Sequence, residues 1–172
     1  VPDVVVDARL LKKEVDYALN KLPMIIGLGP GFEVGKNCHA VIETNRGHYL
    51  GRVIWSGSAM KDTGTPGTVN DKGKERVLRA PTSGIISSGL PIGTIVKKDE
   101  IIGLVDGTPI SAPFDGCLRG LMHDGIEVQQ GMKIGDLDPR PDNKLTQFIS
   151  EKALAIAGGV LEAILTYQLK NK

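Results

Sequence analysis

Residues 80–106 read APTSGIISSGLPIGTIVKKDEIIGLVD, and residues 112–138 read APFDGCLRGLMHDGIEVQQGMKIGDLD. A shift of 32 superimposes the two without a gap. Ala80, Pro81, Gly84, Gly93, Val96, Ile102, Gly103 and Asp106 then meet Ala112, Pro113, Gly116, Gly125, Val128, Ile134, Gly135 and Asp138. Ile86/Leu118, Leu90/Met122 and Val105/Leu137 are conservative besides. Several of the identities are turn formers, which align by chance more readily than most residues. The unbroken register over the whole unit argues for a tandem supersecondary unit that buries its apolar face against its twin. Each copy has the grammar of short strands. Ala-Pro ends a strand because proline has no N–H to continue a ladder. Two apolar positions, a glycine loop, a valine, a polar turn and a closing strand follow. Asp106-Gly107 between the copies suits a two-residue hairpin turn.

This pair of units resembles lipoyl and biotinyl domains, which also have two quasi-symmetric halves with an Ala-Pro-x-x-Gly turn. In that family the modified lysine lies in the hairpin joining the halves. Residues 106–111 here are Asp-Gly-Thr-Pro-Ile-Ser, without lysine. The resemblance therefore implies a barrel-sandwich hybrid architecture without a lipoyl or biotin carrier role, and no cofactor is assigned.

Before the repeat, Val4-Val5-Val6 reads as a strand buried on both faces, as in a parallel sheet. Asp7 can cap a helix from Ala8 to Leu22, with Leu11, Val15, Ala18, Leu19 and Leu22 on one face. Pro23 ends it, and Met24-Ile25-Ile26 forms a second buried strand. This βαβ pattern predicts the edge of a Rossmann-like sheet whose other strands lie upstream. Further strands are expected near 39–43 and 49–55, with a polar, glycine-rich loop over 56–74. Ser150 caps a final helix from Glu151 to Leu169, with Leu154, Ala157, Leu161, Ile164, Leu165 and Gln168 on its apolar face. Gly158-Gly159 in its middle points to close packing. The expected fold is thus mixed α+β. It comprises a βαβ segment (1–37), strands and a connecting loop (38–79), a mostly-β barrel-sandwich hybrid (80–140), and a linker with the C-terminal helix (141–172).

Composition narrows the functions. The 172 residues carry a formal charge of +1, with one Trp, three Tyr and three Phe. Neither a basic field nor stacking platforms for nucleic acid are present. The apolar run at 153–165 contains Glu162 and is too short to span a bilayer, which needs about 20 residues. Two cysteines, Cys38 and Cys117, make no disulfide framework, so a reduced, cytoplasmic setting is expected.

Candidate chemistry lies in three places. The loop Gly27-Leu28-Gly29-Pro30-Gly31 suggests a phosphate cradle, yet Phe32 stands where a dinucleotide fingerprint needs glycine. A P-loop would need glycine at Pro30 and Ser or Thr at Asn37. A structural turn is the simpler reading, with Gly29 and Gly31 as candidate anion contacts. Glu43, Arg46, His48 and Arg52 bring a carboxylate, two guanidinium groups and an imidazole into ten residues. Solvated hairpin charges explain them as well. Asp7, with Arg9, lies at the carboxyl end of a strand, where open sheets bind ligands, though a cap is the simpler role. No metal-ligand spacing and no nucleophile elbow occur. No catalytic residue is assigned.

Several segments together resemble one family. They include Val5-Val6-Asp7-Ala8-Arg9, Ile26-Gly27-Leu28-Gly29-Pro30-Gly31-Phe32, Val41-Ile42-Glu43-Thr44-x-Arg46-Gly47-His48 and Leu50-Gly51-Arg52-Val53-Ile54. Others are Thr63-Gly64-x-Pro66-Gly67, Glu75-Arg76-Val77-Leu78-Arg79-Ala80-Pro81, Leu118-Arg119-Gly120-Leu121, Ile134-Gly135-Asp136-Leu137-Asp138-Pro139-Arg140 and Ala157-Gly158-Gly159-Val160-Leu161-Glu162-Ala163-Ile164. The set resembles the YqeB-like family of selenium-dependent molybdenum hydroxylase accessory proteins. The resemblance implies a place in the maturation of molybdenum hydroxylases with labile selenium. The expected partners are such a hydroxylase or its cofactor-inserting proteins, and a homo-oligomer. It also implies an N-terminal Rossmann-like portion beyond this chain. Relatives tend to carry a cysteine shortly before the final helix, whereas residues 142–149 contain none. The alternative is a small-molecule or anion-binding enzyme, with Gly29–Gly31 facing Arg46, His48 and Arg52.

Overall fold

The computed structural model describes residues 2–11, 13–17, 19, 23–62 and 70–170. The chain forms two compact units, residues 65–149 and residues 1–64 together with 150–172.

In the unit of residues 65–149, eight strands are shared between two sheets. They are β5 (Val77–Arg79), β6 (Gly84–Ser87), β7 (Ile95–Val96), β8 (Ile101–Val105), β9 (Thr108–Ser111), β10 (Gly116–Leu121), β11 (Glu127–Val128) and β12 (Lys133–Asp138). The sheets run β5-β12-β10-β7 and β11-β6-β8-β9. A shift of 32 carries β5 to β8 onto β9 to β12, and one sheet order onto the other. Each copy therefore gives two strands to each sheet, and neither sheet is complete without its twin. Among the described residues the two sheets do not join into a closed barrel.

The core shows the same duplication. Its twelve buried residues are Leu78, Ala80, Ile86, Val96, Ile102 and Val105 with Ile110, Ala112, Leu118, Val128, Ile134 and Leu137. These are six positions used twice, each pair 32 residues apart. Equivalent truncations should therefore cost the same. Ile102→Val and Ile134→Val are each expected to lower unfolding free energy by about 1 kcal/mol in urea denaturation, within a few tenths of one another.

The repeated turn residues have local causes. Asp106 and Gly107 both have positive φ (45° and 79°), so β8 and β9 are joined by the tight turn their sequence predicts. The Asp106 carboxylate accepts the Ile85 N–H at 2.8 Å, and a Cβ on Gly84 would overlap that carboxylate. The Gly84/Asp106 pairing of the repeat is one contact.

The other unit is a mixed sheet of β1 (Val4–Asp7), β2 (Met24–Leu28), β3 (Ala40–Ile42) and β4 (Val53–Ile54), in that order. β1, β2 and β3 are parallel and β4 is antiparallel. Helix α1 (Glu151–Lys170) covers one face through Ile156, Val160, Ala163, Ile164 and Tyr167, against Met24, Ile26, Leu28, Ala40 and Ile42. Ile25, Val41, Cys38, Phe32, Val15 and Ala59 pack together on the other face.

Three expectations change here. The segment 8–22 is not an α-helix over its described residues, while Lys12, Ala18, Asn20, Lys21 and Leu22 lie outside them. A local turn and one tertiary contact set its course instead of its helical period. Asp7 accepts the Arg9 N–H at 3.0 Å, Leu10 takes φ 54°, and Asn37 donates to the Val15 carbonyl at 2.8 Å. Residues 8–11 and 13–17 are irregular chain, with Val15 and Tyr17 packed against the sheet, where a Rossmann-like unit has a helical crossover. Among the described residues β1 pairs with β2 alone, and its valines are half-buried to exposed rather than buried on both faces. Finally, the strand expected at 49–55 shrinks to Val53–Ile54, because residues 47–51 turn. The loop expected over 56–74 lies outside the described residues at 63–69, which includes the Thr63–Gly67 motif.

α1 begins where expected, with the Ser150 hydroxyl accepting the Ala153 N–H at 3.2 Å. It packs through a different face from the one its leucines define. A Cβ on Gly159 would overlap the Gly51 carbonyl oxygen, and one on Gly51 would overlap the Ala155 carbonyl oxygen. Two glycines thus let helix and turn backbones touch, and buried Gly159 and Ala163 turn the narrow face of the helix to the sheet. Leu154, Leu161 and Leu165 stay exposed.

Candidate functional site

Parallel strands deliver their carboxyl ends to one edge of a sheet, and loops at that edge form binding sites in many open sheets. Here β1 ends at Asp7, β2 leads into Gly29–Gly31, and β3 leads into Glu43. The eight candidate residues therefore all follow strand ends at this edge or lie in the loop between β3 and β4.

The side chains are largely engaged with one another. Asp7 is buried and takes Arg9 Nη2 at 2.6 Å, Arg9 Nε at 3.1 Å and the Tyr17 hydroxyl at 3.0 Å. The Arg9 guanidinium holds the Asp7 carboxyl down at about 2, against the opposing effect of burial. Glu43 is also buried. Its two oxygens accept the Asn45 N–H at 2.7 Å and the Met60 N–H at 2.8 Å, so it ties two loops together. Arg46 pairs with Glu151 at the start of α1. Arg52 lies over the Tyr49 ring at 5.8 Å, and His48 meets the same ring edge-on at 5.4 Å.

The glycine loop is a tight structural turn. Gly29 and Gly31 have φ of 76° and 105°, where only glycine is at ease. A Cβ on Gly29 would overlap the Thr44 hydroxyl, and one on Gly31 would overlap the Lys13 carbonyl oxygen. Beside Gly31 lies a shallow cleft of about 190 Å³, with Glu14, Lys36, Asn37, Ser58 and Lys61 among its lining residues. Lys36 pairs with Glu14 at 2.7 Å. Buried Asn37 holds the walls by accepting the Glu33 N–H and donating to the Val15 and Gly31 carbonyls. Arg46, His48 and Arg52 do not line this cleft. Their contacts are with Glu151 for Arg46 and with the Tyr49 ring for His48 and Arg52.

Sequence reasoning missed a second charged cluster, on the duplicated unit. Asp138, buried at the end of β12, accepts Arg140 Nη2 at 2.7 Å, Arg140 Nε at 2.9 Å and the Arg140 N–H at 3.0 Å. Arg119 of β10 reaches it at 3.3 Å, and buried Arg76 approaches to 4.0 Å while pairing with Asp136 at 3.0 Å. Hydrogen bonding from Arg140 holds the Asp138 carboxyl down at about 2. The only sequence sign was Asp138 itself, equivalent to Asp106 but followed by Pro139-Arg140 rather than a hairpin glycine. The cluster joins β10, β12 and the residues on either side of the repeat.

Both cysteines are buried free thiols, and burial pushes Cys38 up to about 11 and Cys117 upward. Such thiols are poor nucleophiles. His39 Nδ1 accepts the Ile25 N–H at 2.9 Å, a structural role. Among the described residues, no group of three His, Cys, Asp or Glu is placed to hold a metal ion, and no helix is long and apolar enough to cross a membrane.

No family model matches the chain. Among solved structures, an aspartoacylase family protein from Mesorhizobium loti is similar at a TM-score of 0.33 and 14% identity, over 46% of this chain and 32% of that one. A likeness of that size carries no argument about fold or activity. The chain is 48% identical over 164 residues to a protein of Escherichia coli (strain K12) described as "Uncharacterized protein YqeB". The match covers 95% of this chain and 30% of that protein. Over nearly all of its own length, the chain is therefore a homologue of YqeB, of which it spans about a third.

Proposed function

We propose that this protein is an accessory factor in the maturation of selenium-dependent molybdenum hydroxylases. In this reading its duplicated β-unit is a docking scaffold of barrel-sandwich hybrid type, and it acts in the cytoplasm. Strands of the two copies are shared between two sheets, which supports that architecture. The observation that carries the scaffold reading is the β8–β9 hairpin. Its tip is Asp106-Gly107, a turn with no side chain able to take a lipoyl or biotinyl group. The resemblance to the accessory family supplies the hydroxylase, or a protein that inserts its cofactor, as partner.

One difference between the two copies supports a particular docking surface in this reading. Ile92 and Ile95 are exposed in the first copy, and the second has exposed Asp124 and Glu127 at the equivalent positions. The same backbone is thus compatible with charge at both places, yet one copy keeps isoleucine. We assign this pair of exposed isoleucines to the contact with a protein partner. Deletion of the gene should lower both the activity and the selenium content of the hydroxylase purified from the same cells. Unchanged values would contradict the proposal.

A further inference from the structure

The cleft beside Gly31, of about 190 Å³, has walls set by two buried polar side chains whose hydrogen bonds go to backbone. Asn37, 3% exposed, ties Glu33, Gly31 and Val15 together. Glu43, also 3% exposed, holds the Met60 N–H at 2.8 Å, next to Lys61. Glu33 and Ser58 form an isolated antiparallel bridge, beside which the Val34 N–H donates to the Gly57 carbonyl at 2.9 Å. Burying an amide and a carboxylate is costly unless each is satisfied, and here both are satisfied by fixing loops around one concavity. Such walls are in place before a ligand arrives.

The charges lining the cleft sort into one closed pair and two open groups. Lys36 is closed on Glu14 at 2.7 Å. Among the described residues Lys61 and Glu33 form no ion pair, and the Ser58 hydroxyl has no hydrogen-bond partner. Pro30, Phe32 and Ala59 supply an apolar surface between them. A lone anion would answer Lys61 and face Glu33, and a lone cation would answer Glu33 and face Lys61. A ligand that answers both carries a carboxylate and an ammonium on one short frame. Size narrows the class further. A cavity of about 150 Å³ encloses one benzene, so this cleft suits roughly six to eight non-hydrogen atoms.

We propose that the cleft beside Gly31 binds a free α-amino acid with a small side chain, its carboxylate on Lys61 and Ser58 and its ammonium on Glu33. The site lies in a different unit from Ile92 and Ile95, so this proposal and the docking surface stand or fall separately.

Backbone amide shifts of the isotope-labelled 172-residue chain, titrated with L-alanine to about 20 mM, test this. Gly31, Ser58, Ala59 and Lys61 should shift saturably, with a Kd on the order of 1 mM. Acetate and methylammonium, each carrying half of the ligand's charge pattern, should shift them much less. L-tryptophan, too large for the cleft, should leave them in place. Lys61→Met and Glu33→Gln should each weaken L-alanine binding about tenfold. Both should keep the wild-type Tm, because neither charged group forms an ion pair among the described residues. Absence of a saturable shift with L-alanine and with L-serine would overturn the proposal. A response to acetate as strong as that to L-alanine would overturn the zwitterion in favour of a simple anion contact. Wild-type affinity in Lys61→Met would overturn the placing of the carboxylate.

Discussion

Asp138→Asn is expected to destabilise the duplicated unit by about 3 kcal/mol, because it removes the anion from a buried cluster and leaves the cations in place. Asp138 is 1% exposed and takes Arg140 through three contacts, with Arg119 at 3.3 Å and Arg76 at 4.0 Å. Asparagine keeps the shape but neither the charge nor the full set of acceptor sites. Its amide would also turn a donor towards guanidinium groups that have only donors to offer. The same cluster sets an acid limit. Asp138 titrates near 2 in the folded chain and near ~3.9 when unfolded, so the folded form favours the carboxylate. Its contribution is fully present above about pH 4 and is lost as pH falls through about 2. Asp7, held at about 2 by Arg9, does the same for the other unit. Urea unfolding between pH 7 and pH 2 should show this loss in the wild type. It should be smaller in Asp138→Asn by about 2 kcal/mol.

Gly159→Leu is expected to cost about 3 kcal/mol or more, the upper end for overpacking a site that cannot relax. The obstacle is a backbone carbonyl, Gly51 O, on a turn held in place by the Gly51 N–H bond to the Glu43 carbonyl and by Glu43 itself. A side chain at 159 must push α1 off the sheet, which uncovers Ile26, Ile42 and Ala163. Gly158→Ala, one residue earlier, should instead raise stability by about 1 kcal/mol, since open space surrounds it. Thermal unfolding of the two variants distinguishes them. Similar behaviour would mean that α1 does not pack as described.

What the sequence revealed follows from how local each cause is. The repeat was legible because its turns and core positions recur at a fixed spacing, and the fold uses each core position twice. The Asp106-Gly107 turn and the Ser150 cap were legible because one or two neighbouring residues decide them. The irregular segment after β1 was not. Its leucines have helical spacing, but a turn at Asp7 diverts its start and Asn37, from another segment, holds the Val15 carbonyl. α1 was read correctly as a helix and wrongly for its face, because leucines line one side while the Gly51–Gly159 contact and the small Ala163 bring another side to the sheet. The candidate residues share one sheet edge as strand-end placement predicts. The contacts of Asp7 with Arg9 and of Tyr49 with His48 and Arg52 are local, whereas Arg46 meets Glu151 from a distant element. The Asp138 cluster was hidden for the same reason, with Arg76 and Arg119 far from it along the chain.

A docking scaffold for hydroxylase maturation must present a surface whose loss abolishes its effect while its fold persists. The most direct measurement is the selenium content of the hydroxylase from a deletion strain complemented with either wild type or Ile92→Asp/Ile95→Glu. The variant places in the first copy the residues that the second copy already carries, so the fold should persist. Wild type is expected to restore selenium, while the variant, present at equal abundance, leaves the content at the deletion level. Full restoration by the variant would contradict the scaffold role.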